Sequence, residues 1–372
     1  MGDEFKKVII LADYGSISLA QEIHNELSKR DIHGGIEPFS LKGIYINRFA
    51  NREIDLDIAS NVRGKDVFLL KSFNVCTGAW DKSMAAPDKA NLVFSPTEAY
   101  SELFLLNDAL KRGEASSVTN ILPFMPYQRQ DRRPKRDGKK TRSAISAKVF
   151  ANILKETGAN RVINLDPHFK QIEGFYDIAF EGLDSFVIFA EYIEANLKER
   201  MKEIVFVAPD HGSAERGGDY ASYFKRPLMI IDKRRVRSGV SEAKGIIGDT
   251  TLLKGALCIL TDDLIDGGGT IVESAKILKE NGAGEIIAFC THPVLSGTAK
   301  EKLLQNKIKL VTTESILIPE KDKYPNITVL GISYLIAQAI WCICNGKSVS
   351  QHLFDYDRYK EYRNQATQII KS

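Results

Sequence analysis

Asp262 and Asp263, followed by the turn Asp266-Gly267-Gly268-Gly269-Thr270, stand between an apolar run at 256–260 and a stretch in which Ile271, Ala275, Ile277 and Leu278 recur at helical spacing. A glycine turn between a strand and a helix lets backbone N–H groups approach a phosphate with no Cβ in the way, and the helix N-terminus adds a favourable dipole. The Thr270 hydroxyl adds one more hydrogen bond. Acids ahead of the turn would repel a pyrophosphate. They suit the 2- and 3-hydroxyls of a ribose whose 5-phosphate sits in the turn, or a metal bridging those hydroxyls. The combination predicts a sugar-phosphate loop, whereas a triple glycine alone would predict only a change of chain direction.

Other reactive side chains fall at comparable places. Asp166-Pro167-His168 follows a strand-like run at 161–165, and Asp210-His211-Gly212-Ser213 follows another at 204–208. Ligands gather at the carboxyl ends of strands in open α/β sheets. His168 and Asp210 are therefore candidate Mg²⁺ ligands, with water and phosphate oxygens completing the shell; taken singly, each also suits a loop or capping role. Lys233, Arg234, Arg235 and Arg237 follow the run at 228–232. Four such cations are ordinarily solvated, but at a sheet edge they can close over transferring phosphates and absorb developing charge. Arg129-Gln130-Asp131-Arg132-Arg133, with 134–142, makes the most basic patch. A nucleoside triphosphate or an acidic loop of a partner subunit suits it better than nucleic acid, because aromatic interleaving is absent and the net charge is only +3.

The elements that must carry these groups alternate. Strand patterns fall at 8–11, 67–70, 117–122, 161–165, 204–208, 228–232, 257–261, 285–290, 308–312 and 327–330. Helical patterns fall at 18–30, 98–112, 143–157, 185–202, 214–224, 270–281, 297–305 and 333–345. Such alternation predicts parallel sheets covered by helices, and the number of strands predicts two α/β domains. We place these at 1–178 and 179–354, with an extension at 355–372 and irregular segments at 73–97 and 134–142. At 372 residues there is chain enough for two buried cores. With 51 Lys and Arg against 48 Asp and Glu, no bulk attraction to nucleic acid or membrane is expected. The cysteines show neither metal spacing nor a disulfide framework, and no apolar run reaches the length of a membrane span, so a cytoplasmic protein is expected.

Further stretches carry a family resemblance: Asn61-Val-Arg-Gly64, Asp108-Ala-Leu-Lys-Arg112, Tyr127-Gln-Arg-Gln-Asp131, Gln171-Ile-Glu-Gly-Phe175, Pro209-Asp-His-Gly212, Ile231-Asp-Lys-Arg-Arg235 and Thr291-His-Pro-Val-Leu-Ser-Gly297. With the loop at 262–270, they resemble the ribose-phosphate pyrophosphokinases (phosphoribosyl pyrophosphate synthetases) over most of 8–354. Type I phosphoribosyltransferases share only the loop. The resemblance implies two tandem phosphoribosyltransferase-like domains, each a mostly parallel sheet flanked by helices. It also implies Mg²⁺-dependent transfer of the diphosphoryl group of ATP to the 1-hydroxyl of ribose 5-phosphate, giving 5-phosphoribosyl 1-pyrophosphate and AMP for nucleotide biosynthesis.

By the same resemblance, Lys233 and Arg235 match a mobile catalytic loop, and His168 and Asp210 the magnesium-linked positions. Phe49, Asn51, Glu53, Arg129 and Gln130 match ATP contacts; Asp262, Asp263, Asp266, Gly267, Gly268, Gly269 and Thr270 match the ribose 5-phosphate loop. The family's dimers assemble into hexamers, with ATP completed by a neighbouring subunit, and Arg63, Ser348 and Ser350 lie in stretches similar to its phosphate and ADP regulatory sites. One motif departs. Phe49-Ala-Asn-Arg-Glu53 has Asn51 for an aspartate and Arg52 for a glycine, a change that bears on base selectivity. A phosphoribosyltransferase and a non-catalytic, synthetase-associated subunit are the alternative expectations.

Overall fold

Runs such as Ile-Val-Phe-Val-Ala at 204–208, in which every residue is buried, are what a parallel strand covered on both faces requires. The computed structural model describes residues 7–51, 53–73, 96–136, 139–232, 245–318, 324–353, 355–361 and 363. In chain order the elements are β1 (Val8–Ala12), α1 (Ile17–Leu27), β2 (Ile44–Arg48), β3 (Ile54–Ile58), β4 (Asp66–Leu70), α2 (Pro96–Arg112), β5 (Ser117–Leu122), β6 (Lys135–Arg136), β7 (Lys139–Lys140), α3 (Ser146–Thr157), β8 (Arg161–Leu165) and β9 (Ala179–Leu183). There follow α4 (Phe186–Asn196), β10 (Ile204–Ala208), α5 (Ala214–Phe224), β11 (Leu228–Asp232), β12 (Gly245–Ile247), β13 (Leu257–Ile265), α6 (Gly269–Glu280), β14 (Glu285–Pro293), α7 (Ala299–Gln305), β15 (Lys309–Thr313), β16 (Ile327–Leu330), α8 (Ser333–Cys344) and α9 (Val349–Leu353). The helices are amphipathic where they cover a sheet. In α3, Ala147, Phe150, Ala151 and Leu154 make the buried stripe, and Gly158, at φ +116°, ends the helix by donating to Leu154 and Lys155 carbonyls.

Two compact units result, 1–184 with 332–372 and 185–331. The first holds a five-stranded sheet in the order β1-β4-β5-β8-β9, every neighbour parallel. On the far side of β1, Val8 makes a parallel bridge with Ile36, donating to Gly35 and accepting from Glu37. The second holds β12-β11-β10-β13-β14-β15-β16, parallel except for β12. In each unit the chain leaves a founding strand in one direction and then returns to that strand's other side. From β1 it passes through α1 to Ile36 and comes back at β4; from β10 it passes through α5 to β11 and comes back at β13. Winding therefore reverses between β1 and β4 and again between β10 and β13, and a crevice opens beyond the carboxyl ends at such a reversal.

Several expectations are amended. β13 does not stop at 261 but continues to Ile265, because Leu264 and Ile265 stay in register with His292 and Pro293 of β14; Asp262 and Asp263 are thus in the strand rather than after it. The hairpin β2–β3 and the strand β9 were not anticipated. Residues 332–354 belong with the first unit, not the second, and the division falls at 184 rather than 178. The physical reason is α8, whose Leu335, Ile336, Ala337 and Ile340 are all but fully buried and which packs along α1. Trp341 Nε1 donates to the Asp31 carbonyl at 2.8 Å, Asn345 Oδ1 accepts from the His33 N–H at 3.2 Å, and Arg30 donates to Gln338.

A chain ending at Gly331 is therefore expected to keep amide-exchange protection in β10, β13 and β14 while losing it in β1 and β4. Undiminished protection of β1 and β4 would show that α8 is dispensable to the first unit.

Candidate active site

In the second unit, the carboxyl end of β10 lies beside the middle of β13, just before Asp262, because Val207 is opposite Leu260. Beyond β10, the Asp210 carboxylate accepts from the Ser213 N–H at 3.1 Å and from its hydroxyl at 3.2 Å. The same hydroxyl lies 3.1 Å from Asp262 Oδ1, so Ser213 bridges the two acids. Burial pushes the Asp262 carboxyl up to about 7; the Asp263 charge, a hydrogen bond shared with Asp263 and the Asp210 charge act in the same direction, and Arg216 opposes them. His211 Nε2 stands 3.5 Å from Asp232, the last residue of β11. Asp210, Asp262, Asp263 and the glycine turn are thus brought to one edge.

The turn is built as its composition requires. Gly268 caps α6 in the left-handed region at φ +72°, and Val272 N–H to the Gly268 carbonyl is the first helical hydrogen bond at 3.1 Å. The N–H groups of Gly269, Thr270 and Ile271 therefore have no partner inside the helix. A Cβ added at Gly267 or Gly269 meets nothing within 4 Å, so the space beside the turn is open. Asp266 is half-buried; Gly267, Gly269 and Thr270 are exposed. The segment after β14 braces the turn from behind: Leu295 donates to the Ile265 carbonyl at 2.9 Å and Ser296 to the Asp266 carbonyl at 3.1 Å. Leu295 does so from φ +48°, a strained conformation for a branched residue. Behind β13, the buried side chains of Thr313 and Ser315 both donate to the Thr291 carbonyl, at 2.7 and 2.8 Å, and Ser315 meets His292 Nδ1 at 3.0 Å. A satisfied polar network of this kind holds a site rigid.

The first unit carries the remaining candidates. Arg129 and Gln130 are exposed on the loop after β5, and His168 is exposed after β8. The buried Gln128 joins them, its side-chain carbonyl accepting the His168 N–H at 2.6 Å. Gln130 accepts from Ser146 Oγ at 2.7 Å at the start of α3. Tyr127 and Asp166, which precede these groups, sit at φ +64° and +48°, so the loops on two adjacent strands are both strained. Phe49, Asn51 and Glu53 form the tip of the β2–β3 hairpin: Phe49 N–H donates to the Glu53 carbonyl at 2.9 Å and Glu53 N–H to Asn51 Oδ1 at 3.1 Å. The Asn51 side-chain oxygen is thus used within the turn, and Phe49 is 56% exposed.

Helix α2 backs both groups. Tyr100 stacks on Tyr127, ring centroids 5.0 Å apart, while Glu102 pairs with Arg48 at the root of the hairpin. Residues two apart point about 200° from each other around a helix axis. Hairpin and basic loop therefore approach α2 from different sides rather than together. His168 and Asp210 belong to different units. Lys233, Arg235 and Arg52 lie outside the described residues, as does most of 73–97. Arg63 is paired with Glu114 at 2.8 Å, and Ser348 Oγ meets Ser350 Oγ at 3.1 Å. The motifs did not reveal the roles of Ser213, Gln128 and Leu295, although each lies within a stretch they singled out.

Among the described residues, no group of three or more His, Cys, Asp or Glu side chains is placed to hold a metal, and no helix is long and apolar enough to cross a membrane. Hard oxygen donors at Asp210 and Asp262, close enough to repel, nevertheless fit Mg²⁺, which takes one or two carboxylates and fills its shell with water and phosphate.

Two doubly wound sheets in tandem, one bearing an acid pair and a capped glycine turn at its reversal point, define a protein of two phosphoribosyltransferase-like α/β units. Residues 8–158 match the signature of the N-terminal domain of ribose phosphate pyrophosphokinase, and 242–355 that of the phosphoribosyl synthetase-associated domain. The ribose-phosphate pyrophosphokinase of Bacillus cereus is 38% identical over 336 residues, 90% of this chain and 95% of that one. That of Bacillus caldolyticus is 40% identical over 311 residues, 83% of this chain and 89% of its own. Among solved structures, the phosphoribosylpyrophosphate synthetase from Mycobacterium smegmatis is similar at a TM-score of 0.76 and 31% identity, over 92% of this chain and all of that one. The chain belongs to the ribose-phosphate pyrophosphokinase family of enzymes.

A carboxyl raised to about 7 when folded, against 3.8 ordinarily, binds a proton more tightly in the folded state. Its stabilising contribution is full below the unfolded value and is lost as the pH rises through about 7. Asp262→Asn should therefore raise the melting temperature of the ligand-free protein at pH 8 and change it little at pH 4; an equal shift at both would refute the assignment. Gly268→Ala, forced to φ +72°, should cost about 1–2 kcal/mol in urea unfolding, and an unchanged midpoint would show that the turn can relax.

Proposed function

We propose that this protein transfers the diphosphoryl group of ATP to the 1-hydroxyl of ribose 5-phosphate, giving 5-phosphoribosyl 1-pyrophosphate and AMP. The observation that carries this reading is the pairing, at one reversal point, of an open helix N-terminus with two mutually repelling carboxylates, in a chain of this family. The N–H groups of Gly267 to Ile271 and the Thr270 hydroxyl receive the 5-phosphate. Asp262 and Asp263, backed by Asp266, take the ribose hydroxyls. The sugar's 1-hydroxyl then attacks the β-phosphorus in line, the bond from that phosphorus to the α,β-bridging oxygen breaks, the hydroxyl proton is lost, and AMP departs.

Phe49, Asn51 and Glu53 present the base-facing tip of the hairpin, while Arg129 and Gln130 contact the triphosphate. Lys233 and Arg235, which follow β11 in the chain, supply cations to the charge spreading over the transferring group. His168 and Asp210 are the residues that would each offer a ligand to Mg²⁺, and the ion would supply shielding of phosphate charge. Because hairpin and basic loop approach α2 from different sides, a single copy does not present one nucleotide pocket. This favours a homo-oligomer in which the hairpin of one copy meets the loop of another, and the family resemblance implies dimers assembling into a hexamer. The same reading puts the enzyme in cytoplasmic nucleotide biosynthesis, without nucleic acid or membrane as a partner.

Incubation with ATP, Mg²⁺ and ribose 5-phosphate should release AMP only when the sugar phosphate is present. Release of a free base-derived nucleotide from phosphoribosyl pyrophosphate would instead support a phosphoribosyltransferase, and no AMP at saturating substrates with added phosphate would support a non-catalytic subunit. Lys233→Ala should lower kcat by about 10²–10³ with an unchanged melting temperature. Thr270→Val, which removes one hydrogen bond to a charged group, should raise the KM for ribose 5-phosphate by about ten- to a hundredfold. Mixing the inactive variants Phe49→Ala and Arg129→Ala should restore part of the activity, since mixed oligomers contain some intact shared sites.

A further inference from the structure

The two reversal points correspond strand by strand, but they carry opposite charge. In the first unit Ala12, the last residue of β1, lies opposite Leu70, the last residue of β4, and the next residue in the chain is Lys71. In the second, Val207 lies opposite Leu260; one step on, Ala208, the last residue of β10, reaches Thr261, and the next residue is Asp262. Lys71 therefore occupies the place that Asp262 holds in its counterpart. It is 1% exposed, and its ammonium donates to Asp13 Oδ2 at 2.5 Å and to Glu102 Oε2. Glu102, fully buried on α2, uses its other oxygen to accept from Arg48 Nη2. Burial alone would lower the Lys71 pKa, but the two carboxylates outweigh it and raise it, so the ammonium stays charged; burial raises that of Asp13 against the pull of Lys71.

The chain of charge Asp13–Lys71–Glu102–Arg48 runs from the first crevice to Arg48, the last residue of β2, and the tip 49–53 begins at the next residue. A two-stranded hairpin is marginal by itself and needs a surface to lie on. Here β3 packs against α2, and the Glu102–Arg48 pair fastens β2 to the same helix. We infer that Lys71 is a positioning residue: an internal cation fills the crevice that the second unit leaves for a ligand and, through Glu102 and Arg48, holds the hairpin tip that meets the nucleotide base. Without the ammonium, Glu102 keeps one buried cation partner instead of two, so its carboxylate is no longer fixed from both sides and the grip on Arg48 weakens.

The assignment of the tip to the base rests on the proposed activity; the fastening of the hairpin does not. Two variants of the full chain test it. Lys71→Met removes the ammonium, and Arg48→Met cuts the last link while leaving Lys71, Glu102 and Asp13 intact, so it decides the matter should Lys71→Met fail to fold. Both should speed amide exchange over 44–58 and leave β5 and β8 unchanged. Both should raise the KM for ATP by about tenfold or more and narrow the preference for ATP over GTP, while the KM for ribose 5-phosphate moves by less than about twofold. An equal rise in both KM values, or an unchanged KM for ATP with wild-type exchange in the hairpin, would overturn the inference. If the wild-type protein itself releases no AMP, the proposed activity fails, and exchange over 44–58 still decides whether Lys71 holds the hairpin.

Discussion

Asp210 and Asp262 are held within reach of a single hydroxyl, that of Ser213, at the point where the second sheet reverses its winding. Neither the register of β10 on β13 nor the turn of α5 gives the two carboxylates room to separate. Burial, reinforced by the neighbouring Asp263 and Asp210 charges, therefore favours the protonated form of Asp262 and raises its carboxyl to about 7. Such an arrangement is unfavourable for the protein alone, and on the proposed reading a cation or a set of sugar hydroxyls would relieve it. Much of the surrounding construction can be understood as keeping it in place: the satisfied network of Thr291, His292, Thr313 and Ser315 behind β13, and the strained Leu295 that braces the turn.

That construction ties recognition to proton balance. A ligand that needs the ionised pair must displace the proton which burial has favoured, so binding and proton release go together across the range in which Asp262 titrates. The phosphate cradle makes no such demand. It consists of backbone N–H groups at the start of α6, whose donors are present at every pH. On the proposed reading, one end of a sugar phosphate would be held by fixed dipoles and the other by groups that titrate.

The sheets were readable in the sequence because strands buried on both faces leave apolar runs, as in β8, β10 and β11, and the glycine turn that opens α6 was readable because its whole signal lies in consecutive residues. The hairpin β2–β3 was not, although Ile-Asp-Leu-Asp-Ile alternates as a half-exposed strand should. The evident apolar character of α8 says that it is buried but not against what, and its partner α1 lies at the other end of the chain. Ser213 bonding Asp262 and Lys71 bonding Asp13 are likewise contacts between distant residues, which only the register of the strands brings about. Local chemistry was visible at the level of single motifs, and its coupling was not.

The repeated winding gives this last point a physical meaning. Two units with one topology present the same crevice twice, and a crevice at a reversal point must be filled by something. In the second unit that position is Asp262, within β13, and on the proposed reading a ligand fills the space. In the first, the equivalent position carries a lysine whose charge is consumed by Asp13 and Glu102, so the space is filled from within. Closing the crevice frees the first unit's surface for another task, because the same carboxylate that satisfies Lys71 also reaches Arg48 and the hairpin. If the proposed activity holds, a change of charge sign at one register position accompanies the difference between a unit that receives a ligand and a unit that supports one.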